Sequence, residues 1–360
     1  MNSEGAVAKK TAVAVIFGGQ SSEHSISCLS AASVLAALDP DKYDVEAIGI
    51  DRSGIWYRVS ADPLDWARTP GGLPTVDVAN PAVHGKLDIS ELAADVVFPA
   101  LHGPFGEDGT IQGALELLGI AYVGSGVLAS ALTMDKQTTK IMLAAAGLPV
   151  GSSVTVTDAD WSRNREAVLS DVGRLRFPVF VKPARAGSSI GIAKVPDLAG
   201  VESAVWDARE HDRKVVIEES IEGAREIECG VLANPGHEAP TASICAEITV
   251  SDEHDFYDFD AKYLDNSATL TVPADLPATR HTELGALAIE AFTALGADGL
   301  SRVDFFLDRA GDVVINEVNT MPGFTNISMF PRMWQESGMS YPELIDHLLA
   351  VAIDRGSGLR

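Results

Sequence analysis

The sequence has 360 residues, more than one hydrophobic core usually organises, so two or three domains are expected. With 27 basic against 51 acidic side chains, its formal net charge is −24, which argues against nucleic acid and anionic membranes as partners. The cysteines Cys28, Cys229 and Cys245 are odd in number and lack metal-ligand spacing, and the polar segment Met1–Lys10 lacks an apolar signal region. These features predict a reduced, cytoplasmic protein.

The first part of the chain alternates between predicted strands and helices. Strands are predicted at Thr11–Phe17, Tyr43–Ile50, Ala94–Leu101 and Ala121–Val123, and helices at Ser25–Leu38 and Gly109–Leu118. This alternation is typical of an open parallel sheet with helices on both sides. We therefore expect an α/β fold that begins with a Rossmann-like domain at residues 1–131.

Two further units are predicted, at residues 132–223 and 224–360. The middle unit has α+β character, with helices at Met134–Ala146 and Leu198–Arg209 and strands at Ser152–Val156, Val179–Lys182, Ile192–Val195 and Val215–Glu219. The last unit has strands at Ile227–Leu232 and Ser243–Val250, a polar loop at Ser251–Ser267 and a helix at Ala278–Leu295. A hairpin, a loop at Met321–Pro331 and a helix at Tyr341–Val351 complete it.

The hairpin carries the strongest chemical signal in the chain. Two runs rich in β-branched and aromatic residues, Ser301–Leu307 and Val313–Thr320, flank a turn that contains Gly311. Because side chains alternate along a strand, one face is expected to gather Arg302, Asp304, Glu317 and Asn319. Carboxylate and amide oxygens suit Mg²⁺, and the arginine suits a phosphate. The pattern predicts a metal and phosphate site.

Three glycine-containing loops follow predicted strands and point to ligand binding. The first carries Glu23 and His24, the second carries His102, and the third joins Lys182 to a Gly-Ser-Ser run at residues 187–189. A lysine followed by such a run is suited to gripping a phosphate under a lid. The sequence lacks the dinucleotide pattern G-x-G-x-x-G and the Walker pattern G-x-x-x-x-G-K, which disfavours nicotinamide enzymes and P-loop NTPases.

A series of motifs then completes a recognisable pattern. In chain order they are F-G-G-x-S-S-E-H, L-H-G-x-x-G-E-D-G, M-D-K, V-K-P-x-x-x-G-S-S-x-G, E-E-x-I-x-G-x-R-E, Y-D-F-x-A-K-Y, S-R-V-D-F and N-E-V-N-T-x-P-G-F-T. Over nearly the whole chain they resemble the D-alanine–D-alanine ligase family of ATP-grasp enzymes. The resemblance implies three α/β domains, with ATP clamped between the middle and the last. It also implies ligation of two D-alanine molecules through a D-alanyl phosphate, for peptidoglycan precursors.

The resemblance also implies roles for individual residues. Nucleotide-phosphate and lid contacts fall on Lys136, Lys182, Lys262, Ser188 and Ser189, and adenine and ribose contacts on Glu218, Glu219, Ile221 and Glu226. The ligands of two Mg²⁺ ions, for which Mn²⁺ can substitute, fall on Asp304, Glu317 and Asn319. Glu23 would hold the first D-alanine's ammonium group near His102, while Arg302 and Gly323 would stabilise the acyl phosphate and the tetrahedral intermediate. Ser328 would hold the second substrate's carboxylate, and Ser188 and Tyr263 would reach from the lid to Glu23.

Two other functions stay open at this point. A D-alanine–D-lactate or D-alanine–D-serine ligase would keep the chemistry and change the acceptor, although the lactate-forming relatives lack the tyrosine found at Tyr263. A non-catalytic amino-acid or nucleotide sensor would keep only the scaffold, although the metal-ligand types and Arg302 are retained. Ala186 departs from the Glu or other polar residue that many relatives carry there, so no lid contact is expected from that position, although the reaction is unaffected. The resemblance favours a homodimer.

Overall fold

The computed structural model describes residues 9–67, 72–187, 190–250 and 268–358. They form a mixed α/β fold with three sheets, in agreement with the predicted fold class. Within these ranges, no helix combines the length and the apolar character that a bilayer span requires.

The N-terminal sheet has a parallel centre and an antiparallel edge. Its elements are β1 (Thr11–Gly18), α1 (His24–Ala37), β2 (Tyr43–Ile50), β3 (Trp56–Val59), β4 (Val83–Lys86), β5 (Val96–Pro99), α2 (Thr110–Leu118), β6 (Ala121–Tyr122) and α3 (Val127–Met134). The strand order is β4-β3-β2-β1-β5-β6, and β2, β1, β5 and β6 are parallel as predicted. The antiparallel β3 and β4 were not predicted, because each has only four residues and no long apolar run.

The central unit is a four-stranded antiparallel sheet flanked by helices. Its elements are α4 (Lys136–Ala145), β7 (Ser153–Thr157), α5 (Asp158–Arg163), α6 (Arg165–Val172), β8 (Val179–Pro183), β9 (Ala193–Val195), α7 (Leu198–Arg209) and β10 (Lys214–Glu219). The strand order is β7-β10-β8-β9. The Asp135 side chain caps α4 by accepting a hydrogen bond from the Thr138 backbone at 3.0 Å, which fixes where that helix begins.

The C-terminal unit contains the predicted hairpin. Its elements are β11 (Arg225–Leu232), β12 (Thr241–Ala242), β13 (Ala246–Val250), β14 (Ala268–Thr271), α8 (Ala278–Ala294), β15 (Leu300–Leu307), β16 (Val313–Asn319), α9 (Met329–Glu336) and α10 (Tyr341–Arg355). The main strand order is β14-β13-β11-β15-β16. The predicted loop Met321–Pro331 is wrong at its end, since α9 begins at Met329. Pro331 lies in the first turn of that helix, where proline is tolerated.

The N-terminal and C-terminal units share one hydrophobic core. It runs from the buried faces of β1 and β5 to α9 and α10. Phe324, which follows β16, lies at its centre, with ring centroids 5.4 Å from Phe98, 6.0 Å from Phe330 and 5.7 Å from Tyr341. The central sheet and α7 have a separate core that includes Val181. The hydrophobic core of the central sheet is therefore separate from the core that the other two units share.

Candidate active site

A cleft of about 700 Å³ is lined by the central and C-terminal sheets and by the loops that follow β1 and β5. Every predicted site residue within the described ranges reaches it. These residues are Glu23, His102, Lys136, Lys182, Glu218, Glu219, Ile221, Glu226, Arg302, Asp304, Glu317, Asn319, Gly323 and Ser328. The other predicted residues, Ser188, Ser189, Lys262 and Tyr263, lie outside the described residues.

The hairpin brings its polar residues together as the alternation predicts. Arg302 on β15 lies opposite Asn319 on β16, and Asp304 lies opposite Glu317. Arg302 donates to Asp304 from Nε at 2.7 Å and from Nη2 at 2.6 Å, and Asn319 Nδ2 donates to Asp304 Oδ2 at 3.0 Å. The strand register shifts directly after Asp304, an irregularity that often re-aims side chains beside active sites.

The chemistry of this donor set fits a divalent cation that also binds phosphate. Within the described ranges, no cluster of three or more Asp, Glu, His or Cys side chains could hold a metal alone. The hairpin instead offers the two carboxylates of Asp304 and Glu317 and the amide of Asn319. Mg²⁺ is usually held by one or two carboxylates and takes its remaining ligands from substrate phosphates and water. The residues present suit that kind of site.

Glu228 on β11 is a site residue that the sequence analysis missed. It pairs with Asp304 in the sheet, and its Oε1 lies 3.1 Å from Arg302 Nε. Burial lowers the pKa of Arg302, but Asp304 and Glu228 outweigh burial and raise it above its ordinary value. The guanidinium is therefore charged and held between two carboxylates. The alternation of Glu226 and Glu228 along one strand was the available signal.

A buried group of charges forms the opposite wall of the cleft. Glu218 accepts from Lys182 Nζ at 2.7 Å on one oxygen, and Lys140 Nζ lies 2.7 Å from the other. Burial raises the pKa of Glu218, yet Lys182 and Lys140 outweigh burial and bring it down to about 2. Burial lowers the pKa of Lys182, but Glu218 outweighs burial and raises this pKa above its ordinary value, with smaller contributions from Glu317 and Glu226. Glu218 and Lys182 are therefore both charged at neutral pH.

The loops after β1 and β5 form a third, acidic corner of the cleft. Glu23 is buried at the start of α1, and a Cβ atom added to Gly103 or Gly187 would lie 2.4 or 2.6 Å from its Oε2. The buried His102 contacts the Met321 carbonyl at 3.1 Å and Glu107 at 3.5 Å through Nδ1. Burial lowers the pKa of His102, but Glu107 and Glu23 outweigh it and raise the pKa. The corner suits an ammonium group.

Two family models match most of the length of this chain. Residues 12–125 match the family model described as D-ala D-ala ligase N-terminus, and residues 142–350 match the one described as D-ala D-ala ligase C-terminus. The chain belongs to the D-alanine–D-alanine ligase family. A D-alanine–D-alanine ligase of Arthrobacter sp. is 53% identical over 98% of this chain and 96% of its own length.

Solved structures of this ligase family share the fold. The D-alanine–D-alanine ligase of Coxiella burnetii is 37% identical, with a TM-score of 0.80, over 97% of this chain and 95% of that one. The D-Ala:D-Ser ligase of Enterococcus faecalis is 38% identical, with a TM-score of 0.81, over 96% of this chain and 100% of that one. The predicted ATP-grasp architecture is thereby confirmed. Since both acceptor types occur on this backbone, the fold does not select the acceptor.

Two further segments of the ligase fold border the cleft. Lys136 Nζ donates to the Ala186 carbonyl at 2.8 Å, so the backbone rather than the side chain of Ala186 makes this contact. Gly187 next to it faces Glu23, so this residue of the predicted lid lies at the acidic corner. On the far side, Ser328 Oγ accepts from the Thr325 backbone at 3.1 Å and lies 3.4 Å from the position of a Cβ atom on Gly323.

Proposed function

We propose that this protein is an ATP-dependent ligase that joins two D-alanine molecules into D-alanyl-D-alanine for peptidoglycan precursors. The observation that carries the proposal is the convergence of three groups on one cleft. They are the Arg302 hairpin with its carboxylates, the Lys182–Glu218 wall and the Glu23 corner. Membership of the D-alanine–D-alanine ligase family supports the same activity.

The proposed reaction has two transfers. A carboxylate oxygen of the first D-alanine attacks the γ-phosphorus of ATP, and the bond to the bridging oxygen breaks to release ADP. The amine of the second D-alanine then attacks the carbonyl carbon of the acyl phosphate and loses a proton, and inorganic phosphate leaves. Phosphoryl transfer depends on positioning and on neutralising charge, which is what Lys136, Lys182 and Arg302 would provide.

The two Mg²⁺ ions, or Mn²⁺ in their place, would be held by Asp304, Glu317 and Asn319. When bound, such ions neutralise the charge of the β- and γ-phosphates. Arg302 is held 2.6 Å from Asp304 and 3.1 Å from Glu228, so its orientation does not depend on the substrate. A fixed cation of this kind stabilises developing negative charge without reorganising during the reaction.

The remaining roles are those that the family resemblance implies. Adenine and ribose contacts are proposed for Glu218, Glu219, Ile221 and Glu226, and a further phosphate contact for Lys262. Glu23 would bind the ammonium group of the first D-alanine, with His102 beside it. Gly323 would stabilise the acyl phosphate, Ser328 would bind the second carboxylate, and Ser188, Ser189 and Tyr263 would close the lid. Water must be excluded, because an acyl phosphate hydrolyses readily.

The acceptor is proposed to be D-alanine rather than D-lactate or D-serine. Curated relatives about half identical to this chain are named D-alanine–D-alanine ligases, whereas the D-Ala:D-Ser ligase structure is 38% identical. Tyr263 gives a direct test. Tyr263→Ala should open the lid, so phosphate release should exceed dipeptide formation, whereas Tyr263→Phe should lose only about 0.5–1.5 kcal/mol of one hydrogen bond. Equal ratios of phosphate to dipeptide in wild type and Tyr263→Ala would contradict this role.

The function itself is tested by product analysis. Phosphate and dipeptide should form from ATP with D-alanine, and phosphate release should stay at background without an amino acid. If D-lactate or D-serine competes as the better acceptor, the acceptor assignment is wrong. Nucleotide binding without turnover would favour the sensor. The proposal also includes a cytoplasmic location, a homodimer and domain bounds at residues 1–131, 132–223 and 224–360, which stay predictions from the sequence.

A further inference from the structure

Lys140 is a charged residue of the cleft wall that the expected nucleotide contacts leave without a role. It lies on α4, one turn after Lys136, and its side chain is only 8% exposed. Its Nζ lies 2.7 Å from Glu218 Oε2, while Lys182 Nζ lies 2.7 Å from Glu218 Oε1. The Glu218 carboxylate thus pairs with two ammonium groups, one at each oxygen.

The charge balance of this wall depends on Lys140. Without it, Lys182 would face the carboxylate of Glu218 at 2.7 Å, and this pair alone has a formal net charge of zero. A lysine neutralised by one carboxylate has little net positive charge to offer an anion. With Lys140 present, the two lysines and Glu218 carry a formal net charge of +1. Buried net charge is costly unless a counter-charge binds, and a polyphosphate supplies one.

Lys140 also connects two separately packed parts of the protein. Leu143, on the same helix, packs in the core of the C-terminal sheet, whereas the strand that carries Glu218 contributes Ile217 to the central core. The same two elements are joined a second time, by Lys214 Nζ and Asp135 at 2.7 Å. Lys214 does not line the cleft, so this second pair gives a matched comparison in which α4 and β10 are joined without Glu218.

We propose that Lys140 is a positioning residue for the nucleotide, which engages Glu218 so that the charge of Lys182 is available to the phosphates. The inference rests on the proposed function, because it assumes that the polyphosphate of ATP binds beside Lys182. It differs from a direct contact, since Lys140 would act through Glu218. It also differs from a purely structural role, since Lys214–Asp135 already joins the same two elements.

The test is calorimetric titration of MgADP into the full-length protein without D-alanine. Lys140→Met should weaken binding about tenfold or more, because one positive charge of the wall is lost and Glu218 is left to neutralise Lys182. In a Glu218→Gln background the same change should weaken binding less than about twofold, since the carboxylate through which it acts is gone. Lys140→Arg should bind nearly as the wild type does. Lys214→Met should bind MgADP normally even if its melting temperature falls.

Three results would overturn the inference. They are an equal loss of MgADP affinity in both backgrounds, no loss in either, and an equal loss in Lys214→Met. If Lys140→Met does not fold, as judged by thermal melting, Lys140→Gln takes its place under the same criteria. The outcome is separable from the proposed function. A wild-type protein that binds MgADP but forms no dipeptide refutes the ligase, whereas normal MgADP binding by Lys140→Met in an active ligase refutes only the inference.

Discussion

Gly187→Ala is the sharpest test of how the lid meets the first amino acid. An alanine Cβ at this position would lie 2.6 Å from Glu23 Oε2 and 3.3 Å from its carboxyl carbon. Ordinary contacts begin at 3.4 Å, so the carboxylate or the loop must move by the difference, about 0.8 Å. Gly187 has no positive φ angle, so the substitution adds no backbone strain.

The expected result is a kinetic defect in a stable protein. A misplacement of about 1 Å can cost roughly a hundredfold in rate, and loss of a charged hydrogen bond costs about 1.5–3 kcal/mol. The Michaelis constant for the first D-alanine should therefore rise between about tenfold and a hundredfold. The melting temperature should stay near that of the wild type, because the displaced atoms are the end of one flexible side chain.

Steady-state rates of ADP formation across D-alanine concentrations measure this effect. Gly113→Ala is the matched control, since its Cβ would meet nothing closer than Val127 Cγ2 at 3.8 Å and it lies outside the cleft. That variant should keep wild-type kinetics. A Gly187→Ala protein with an unchanged Michaelis constant for D-alanine would refute the argument that the lid backbone packs on Glu23.

Three other predictions follow from the cleft. Glu317→Gln should lower Mg²⁺-dependent turnover by more than about a hundredfold while the melting temperature changes little, because it removes an anionic ligand from a cleft-facing strand. Near-normal turnover would contradict the metal assignment. Lys182→Ala should raise the Michaelis constant for ATP roughly 10- to 150-fold and that for D-alanine much less, since a charged hydrogen bond is worth about 1.5–3 kcal/mol. Equal effects on both substrates would indicate a general loss of structure. The pKa of Glu218 is about 2 against an ordinary 4.5, so its contribution to stability is present above pH 4.5 and is lost as the pH falls towards 2. Melting temperatures measured across that range should fall less steeply in Glu218→Gln than in the wild type, and identical slopes would contradict this account.

The hairpin site could be predicted from the sequence because its geometry is local. Strand alternation alone places Arg302 and Asp304 on one face, and a short turn places Glu317 and Asn319 opposite them. The other residues of the cleft were predicted from motifs that resemble those of the D-alanine–D-alanine ligase family. What they could not supply is the distance between elements far apart in the chain.

Lys140 and Glu228 were missed for that reason. Lys140 reads as an ordinary helix lysine until α4 and β10 pack together, and Glu228 reads as an ordinary strand residue until β11 pairs with β15. Other omissions were local. The helix that begins at Asp158 has a capping box formed by Thr157 and Asp160, which is a signal that the sequence itself carries. The predicted loop ends at Pro331, although this residue lies in the first turn of a helix.

The core shared through Phe324 bears on how the chain loses its structure. Side chains that pack in one core stabilise one another, so we expect the N-terminal sheet and the C-terminal helices to unfold as a single cooperative unit. The central sheet, with its own core, forms a second unit. A cavity made by truncating Val181 would therefore destabilise the wall formed by Lys182 and Glu218 and leave Arg302 and Glu23 in place. A cavity made by truncating Phe324 would instead destabilise the elements that carry Arg302 and Glu23 together.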